Sequence, residues 1–203
     1  MGQVSMRSKF RAHVRDEALD ACHALAIERG WAQVRLSEVA SSVGVSRPTL
    51  YKEFGSKDGL GEALVRRETE RFLVGVKETL DAHDGDVPAA LTAAVQFALV
   101  TAEANPLLHA VLTATRGGDD GLLPMLTTRS SPVLDPATAA LTAWFAEHAP
   151  ELDPTEVREA VDVTVRLVVS HLVLPGPDPE ASARLLAEVA MRYLGVAGPR
   201  NAG

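Results

Sequence analysis

Residues 36–60 read LSEVASSVGVSRPTLYKEFGSKDGL, and two short helical patterns meet inside this stretch at a tight turn. Leu36, Val39, Ala40 and Val43 are spaced as one buried helical face. Gly44 follows, where the chain turns sharply and a residue without Cβ takes positive φ at no steric cost. Val45 plugs back into the core and Ser46 is placed to cap a second helix. Pro48 falls in that helix's first turn, where its missing N–H costs nothing. Leu50 and Phe54, four apart, form the second helix's buried side, and Arg47, Thr49, Tyr51 and Lys52 stay on its other faces. A polar, basic second helix after a glycine turn is the pattern of a helix-turn-helix whose second helix lies in a DNA major groove. Periodicity alone leaves the matter open, since two helices joined at a glycine also occur as plain structure.

The residues narrow the choice. The run GVSRPTLYKEFGSK at 44–57, after a capped N-terminal helix, closely resembles the DNA-binding domain of the tetracycline-repressor (TetR) family. The close resemblance covers roughly the first sixty residues; the remainder is similar in helix count and length. It implies an all-α protein with a three-helix DNA-binding domain at 1–57 and a larger helical ligand-binding and dimerisation domain at 58–203. A homodimer on a palindromic double-stranded operator is implied as well. Arg47, Thr49 and Tyr51, with Ser46 and Pro48 beside them, are the candidates for base or nearby phosphate contacts. Lys52, Lys57 and Arg35 are the candidates for backbone anchoring; Lys57 resembles the family's phosphate-binding lysine. Two positions depart from the family pattern. Arg35 stands where the family usually has a capping Thr, and Glu53 stands where relatives often carry a neutral, basic or aromatic residue. A carboxylate facing phosphates would weaken binding unless it accepts from a cytosine amino group.

Charge agrees with a DNA-binding head although the chain carries −7 in all. Residues 1–57 hold nine Lys/Arg and six Asp/Glu, a net +3; the rest holds eleven and twenty-one, a net −10. A basic head on an acidic body suits a localised phosphate contact. The 46% apolar share is that of a folded protein with ample core. No apolar run reaches a membrane span's length, and no signal-peptide core is visible, so the expected location is cytoplasmic. The lone Cys22 excludes an intrachain disulfide and reads as buried filler.

Along the chain, residues 1–10 lack apolar periodicity and read as a disordered arm. Its Arg7 and Lys9, with Arg11, could reach the minor groove or a phosphate, or simply be solvated. A helix over Arg11–Arg29 buries Val14, Ala18, Cys22, Leu25 and Ala26, and Gly30 ends it. Ser56 caps a long helix ending near Asp81–Asp86. Asp86 and Pro88 start an Ala-rich helix reaching Asn105. Pro106 opens a short helix through Thr115, RGGDDG at 116–121 breaks it, and a further piece spans Leu122–Leu126. Asp135–Pro136, Asp153–Pro154 and Asp178–Pro179 repeat an Asp cap followed by Pro at the first helical position. They predict helices over 137–148, 155–174 and 180–194, nine or ten in all. The alternating VDVTVRLVV at 161–169 reads locally as a strand. The cap before it and the lack of a partner strand favour helix.

Read as a helix, that segment is apolar on nearly every side and must be covered nearly all round. A second subunit is the economical cover for one side. Val161, Val165, Val168, Val169 and Leu172, with Leu185, Leu186 and Val189 of the last helix, are therefore the expected dimer interface. The resemblance implies the same four-helix arrangement. For a sensing role, Phe97, Val100, Leu108, Leu112 and Trp144 would form an apolar wall, with His109, Thr113, Arg166 and His171 as polar groups. Each apolar one taken singly also reads as core. The ligand class is hydrophobic or amphipathic. TTRSSPVLDP at 127–136 and RLVVSHLVLP at 166–175 are similar to actinobacterial members that repress alkane- or lipid-oxidation genes.

The expected function is a ligand-responsive transcriptional regulator, more a repressor than an activator, without cofactor or metal. The alternatives are a regulator controlled by a partner protein and an enzyme using His109 and His171. Against the enzyme, the sequence has no HExxH, CxxC, GxSxG, P-loop or GxGxxG.

Overall fold

The computed structural model describes residues 6–83, 85–105, 107 and 130–196. Among the described residues there are eight α-helices, one 3-10 turn and no strand, which gives the expected all-α class. Apart from Leu107, the expected pieces at 106–115 and 122–126 lie outside the described residues, so the count of nine or ten is not reached among those described.

The chain forms two compact units. The first holds α1 (Met6–Arg29), the 3-10 turn Trp31–Gln33, α2 (Leu36–Val43), α3 (Arg47–Phe54) and α4 (Lys57–Asp81) as far as Val65. The second begins at Arg66 and takes in α5 (Val87–Glu103), α6 (Ser131–His148), α7 (Pro154–Val173) and α8 (Pro179–Tyr193). Because α4 is unbroken, the division falls inside it, past the expected boundary at residue 57.

In the first unit, Val14, Ala18, Cys22 and Ala26 recur every four residues along α1 and are all buried, with Leu19 beside them. The helix starts earlier than its apolar pattern. Met6 to Phe10 are helical, which corrects the disordered arm from Met6 onward. No Gly or Pro interrupts MRSKF, so the helix extends past the core with Ser8, Lys9 and Phe10 exposed. Periodicity reports burial, and a solvated first turn has none to report.

In the second unit the capping signals are in place. The Asp86 carboxylate accepts from the Ala89 amide, that of Asp153 from Thr155 and Glu156, and that of Asp178 from Glu180 and Ala181. Each satisfies helix-start amides that have no partner within the helix. The valine-rich 161–169 is helical, inside α7. Asp135–Pro136 is the exception among the three Asp–Pro pairs. α6 begins at Ser131, with Pro132 in its first turn, so Pro136 lies inside the helix. An interior proline forfeits one backbone hydrogen bond, at about 3 kcal/mol. Burial of Pro132, Leu134 and Ala137 offsets it, at about 1.5–3 kcal/mol for a fully buried large aliphatic side chain.

The body's core lies where α5 packs on α8 and α7, α6 on α7, and α7 on α8. Phe145 and Met191 are almost wholly enclosed there. Each of these two packed helices, α5 and α8, buries small residues: Ala90, Ala94 and Ala98 on one, Ala183, Ala187 and Ala190 on the other. No described helix is long and apolar enough to cross a membrane.

Candidate nucleic-acid interface

The turn between α2 and α3 is built as its residues dictate. Gly44 takes φ 70° and ψ 26°, the left-handed conformation that closes α2. Its amide donates to Ser41 O, and that of Val45 reaches back to Ala40 O at 3.0 Å. Ser46 then caps α3: its hydroxyl accepts from the Thr49 amide at 3.3 Å and lies 2.8 Å from the Thr49 hydroxyl. Pro48 sits in the first turn. Leu50 and Phe54 are buried, while Arg47, Pro48, Thr49, Tyr51 and Lys52 are exposed on the other side.

The exposed face is ordered by its own contacts. The Arg47 guanidinium donates to the Tyr51 hydroxyl at 3.0 Å and lies 5.2 Å from the centre of its ring. Both groups are thus held in one geometry before any partner arrives, which lowers the ordering cost of binding. Arg35 occupies the N-cap position of α2 without a side-chain cap bond and is exposed. Lys57 is engaged within the unit: its ammonium donates to Ala32 O at 3.0 Å and lies 5.2 Å from the Trp31 ring centre.

Glu53 is placed differently from what its position suggests. It does not stand out toward solvent: its side chain is 11% exposed and accepts from Arg11 at 2.5 Å and Arg15 at 3.1 Å, both on α1. Burial by itself would raise its pKa, but the hydrogen bonds and charges of Arg11 and Arg15 outweigh it and hold the carboxyl below its ordinary value. Arg11 is accordingly tied down rather than reaching out as part of an arm. Sequence reasoning also missed Gly59. A Cβ there would lie 2.0 Å from the carbonyl oxygen of Phe54, so the first turn of α4 packs directly on the last turn of α3. GSKDGL contains the signal, a glycine in a helix's opening turn, but not the neighbour that requires it.

The body's expected surfaces fare unevenly. Of the expected interface residues, Val161, Val165, Val169 and Leu186 are buried in the core of their own unit, and Val168 and Leu172 pack partly against it. For Val161, Val165, Val169 and Leu186 this corrects the assignment to a face left for a second subunit. Leu185 and Val189 are exposed at 57% and 43%, joined by Val163 and Tyr193 at 50% and 53%. The Tyr193 hydroxyl donates to the Glu159 carboxylate, linking α8 to α7 at this surface.

Of the expected ligand wall, Leu108, His109, Leu112 and Thr113 lie outside the described residues. The other five are Phe97, Val100, Trp144, Arg166 and His171. Trp144 is buried, donates its indole N–H to Asp81 at 3.1 Å and stacks on His148. Phe97 packs against Phe72 and over Gly75, and Val100 is about half exposed. His171 turns Nδ1 to the Leu167 carbonyl. Arg166 pairs with Asp162 and opens onto a groove between α6 and α7 that includes none of the other four. A void lined by Leu91, Leu141, Phe145 and Thr164, among others, has about 10 Å³, room for one water. Among the described residues no three His, Cys, Asp or Glu side chains are grouped to hold a metal.

Comparison with known proteins covers both units. The family model described as bacterial regulatory proteins, tetR family, matches residues 18–64, and that of the bacterial tetracyclin repressor C-terminal domain matches residues 86–192. The regulator AlkX of Mycobacterium tuberculosis is 33% identical over 180 residues, 89% of this chain and 83% of its own length. The crystal structure of the TetR family repressor AlkX from Dietzia, implicated in biodegradation of n-alkanes, superposes with a TM-score of 0.72 at 31% identity. That match covers 88% of this chain and 96% of the other. The Rhodococcus erythropolis repressor QsdR shares the fold at 17% identity, with a TM-score of 0.69 over 94% and 98% of the two chains. A reading helix capped by Ser46, a body of long helices and matches along both lead to one conclusion: this chain belongs to the TetR family of helix-turn-helix transcriptional regulators.

Proposed function

We propose that this regulator is a homodimeric repressor that acts in the cytoplasm without cofactor or catalysis and leaves its operator when the body binds a hydrophobic or amphipathic small molecule. Each subunit puts α3 into a major groove, the two half-sites of a palindrome lying about one helical turn apart or slightly more. Arg47, Thr49 and Tyr51 read bases or adjacent phosphates, and Lys52, Lys57 and Arg35 anchor the backbone. The observation that carries the reading is the exposed face of α3, where Arg47 and Tyr51 are already held together. The ligand class draws on the apolar body and on the n-alkane link of the Dietzia repressor. A ligand that binds one disposition of α4 better than another shifts the population away from the DNA-binding form.

The interface follows from exposure. Val163 on α7 and Leu185, Val189 and Tyr193 on α8 form an apolar strip open to solvent in the single chain. Leu185, Val189 and Tyr193 are spaced at four residues and so share one face. A second copy is the cover proposed for it.

Binding of the purified protein to the DNA flanking its gene, read by fluorescence anisotropy with unrelated DNA as competitor, tests the reading. Tyr51→Ala should lose operator binding while helical content and dimer mass stay unchanged. Wild-type affinity in that variant would remove α3 from the groove.

A further inference from the structure

Glu53 is in the last turn of α3, the end of a helix whose dipole disfavours a carboxylate. It also belongs to the helix assigned to a polyanion. On both counts the position favours a cation, so the residue's use must lie elsewhere. The two guanidinium groups that hold it sit four residues apart on α1, hence one above the other on the same face. Arg15 does more than neutralise charge. Its guanidinium also lies 5.1 Å from the ring centre of Phe54, the buried residue next to Glu53.

Within the head, α1 packs on α2 and on the 3-10 turn, and α2 packs on α3, whereas the backbones of α1 and α3 approach each other little. The contacts of Glu53 and Phe54 with Arg11 and Arg15 therefore form a polar tie between α1 and the reading helix. One carboxylate occupies two cations beside the face that meets DNA. The depressed pKa of Glu53 is consistent with a carboxylate that stays ionised in this role.

We infer that Glu53 is a specificity-determining residue: it fixes α3 on α1 and withholds Arg11 and Arg15 from the phosphate backbone. The inference rests on the DNA-reading role proposed for α3. Phosphate contacts position a protein without reporting sequence, and each one neutralised adds about 0.9 to the slope of log affinity against log salt. Two arginines released beside α3 would raise affinity for any duplex. Loosening of α3 would at the same time blunt its reading of the right one.

The test uses the full-length protein and two duplexes of equal length, one selected from a random-sequence pool by the wild type and one with that sequence scrambled. Anisotropy titrations at several salt concentrations give affinity and slope. Glu53→Gln should bind the scrambled duplex about tenfold more tightly at low salt, with a slope steeper by roughly 1–2. Its preference for the selected duplex should fall at least tenfold. Adding Arg11→Gln and Arg15→Gln should return the slope to the wild-type value without restoring preference. Equal weakening on both duplexes with an unchanged slope would reduce the tie to a structural brace and overturn the inference. So would wild-type behaviour. Should Glu53→Gln not fold, Arg11→Gln alone decides, because Arg11 is 67% exposed. Its slope on the scrambled duplex should match the wild type, and a slope flatter by about 1 would mean that Arg11 already contacts phosphate. A wild type that selects no sequence would defeat the DNA-reading role itself; a selective wild type with indifferent variants would defeat the role of Glu53 alone.

Discussion

The head and the body are both helical, yet they are specified differently. In the head, α2 and α3 have eight residues each, and each buries only two or three side chains. Their place and direction are set by local devices: the turn at Gly44, the Ser46 cap, Pro48, and the close passage at Gly59. The body's helices run to twenty residues, and α7 and α8 carry large apolar side chains outside their buried faces as well as within them, Val163 on the one and Leu185 and Val189 on the other. Their faces are assigned by neighbours distant in sequence. A short helix with one buried edge has one way to lie, whereas a long helix apolar all round leaves its cover to be decided by the rest of the chain.

The largest effect expected from this contrast is at Gly59. Gly59→Ala places a Cβ against the backbone of Phe54, which has no side-chain freedom with which to yield. Operator binding should be lost, and limited proteolysis should cut first within residues 6–65 while the helices of the body persist. Wild-type affinity in this variant would show that α4 shifts along α3 without cost, and the head would then be less tightly specified than the body.

Next in size are two substitutions in the body that separate core from interface. Val165→Asp buries a charge with no partner where Val165 is 6% exposed, and should cost about 4 kcal/mol or more. Leu185→Glu, on the exposed strip, should stay within about 0.5 kcal/mol for the protomer while splitting the dimer. Thermal melts and light scattering separate the two outcomes. A Leu185→Glu protein that remains dimeric would place the interface off α8's exposed face.

The same contrast explains what could be read in advance. The turn at 44–46, the cap at Ser46 and the exposed set Arg47, Thr49, Tyr51 and Lys52 were legible because sequence neighbours determine them. The caps at Asp86, Asp153 and Asp178 were legible for the same reason. Val161 and Val165 were correctly read as lying on one buried stripe, but periodicity says that a side chain is covered and not by what; here α7's own unit covers it. Glu53 was misread because its partners lie on α1, about forty residues earlier in the chain. Asp135–Pro136 misled because the same dipeptide that starts α7 and α8 is tolerated inside α6, once Pro132 has supplied the first turn. A dipeptide carries no record of which start the packing will use.

The smallest expected effect tests whether the local devices in the body are as separable as they look. The Asp153 carboxylate accepts from the amides of Glu156 and Thr155 at 3.1 and 2.8 Å, and these bonds hold its pKa below the ordinary carboxylate range. A depressed folded-state pKa contributes stability that is complete above the unfolded-state value and is lost as pH falls through the folded one. Asp153→Ala should therefore lower the melting temperature by a few degrees at pH 7, and the gap to the wild type should narrow as the solution is acidified below the ordinary carboxylate range. Asp153→Asn keeps a capping oxygen but not the charge and should fall between the two at pH 7. A gap that ignores pH would mean the cap acts through its oxygen alone. A gap as large as that from Val165→Asp would mean that the start of α7 is coupled to the core it covers, and local signals in the body would then be inseparable from its packing.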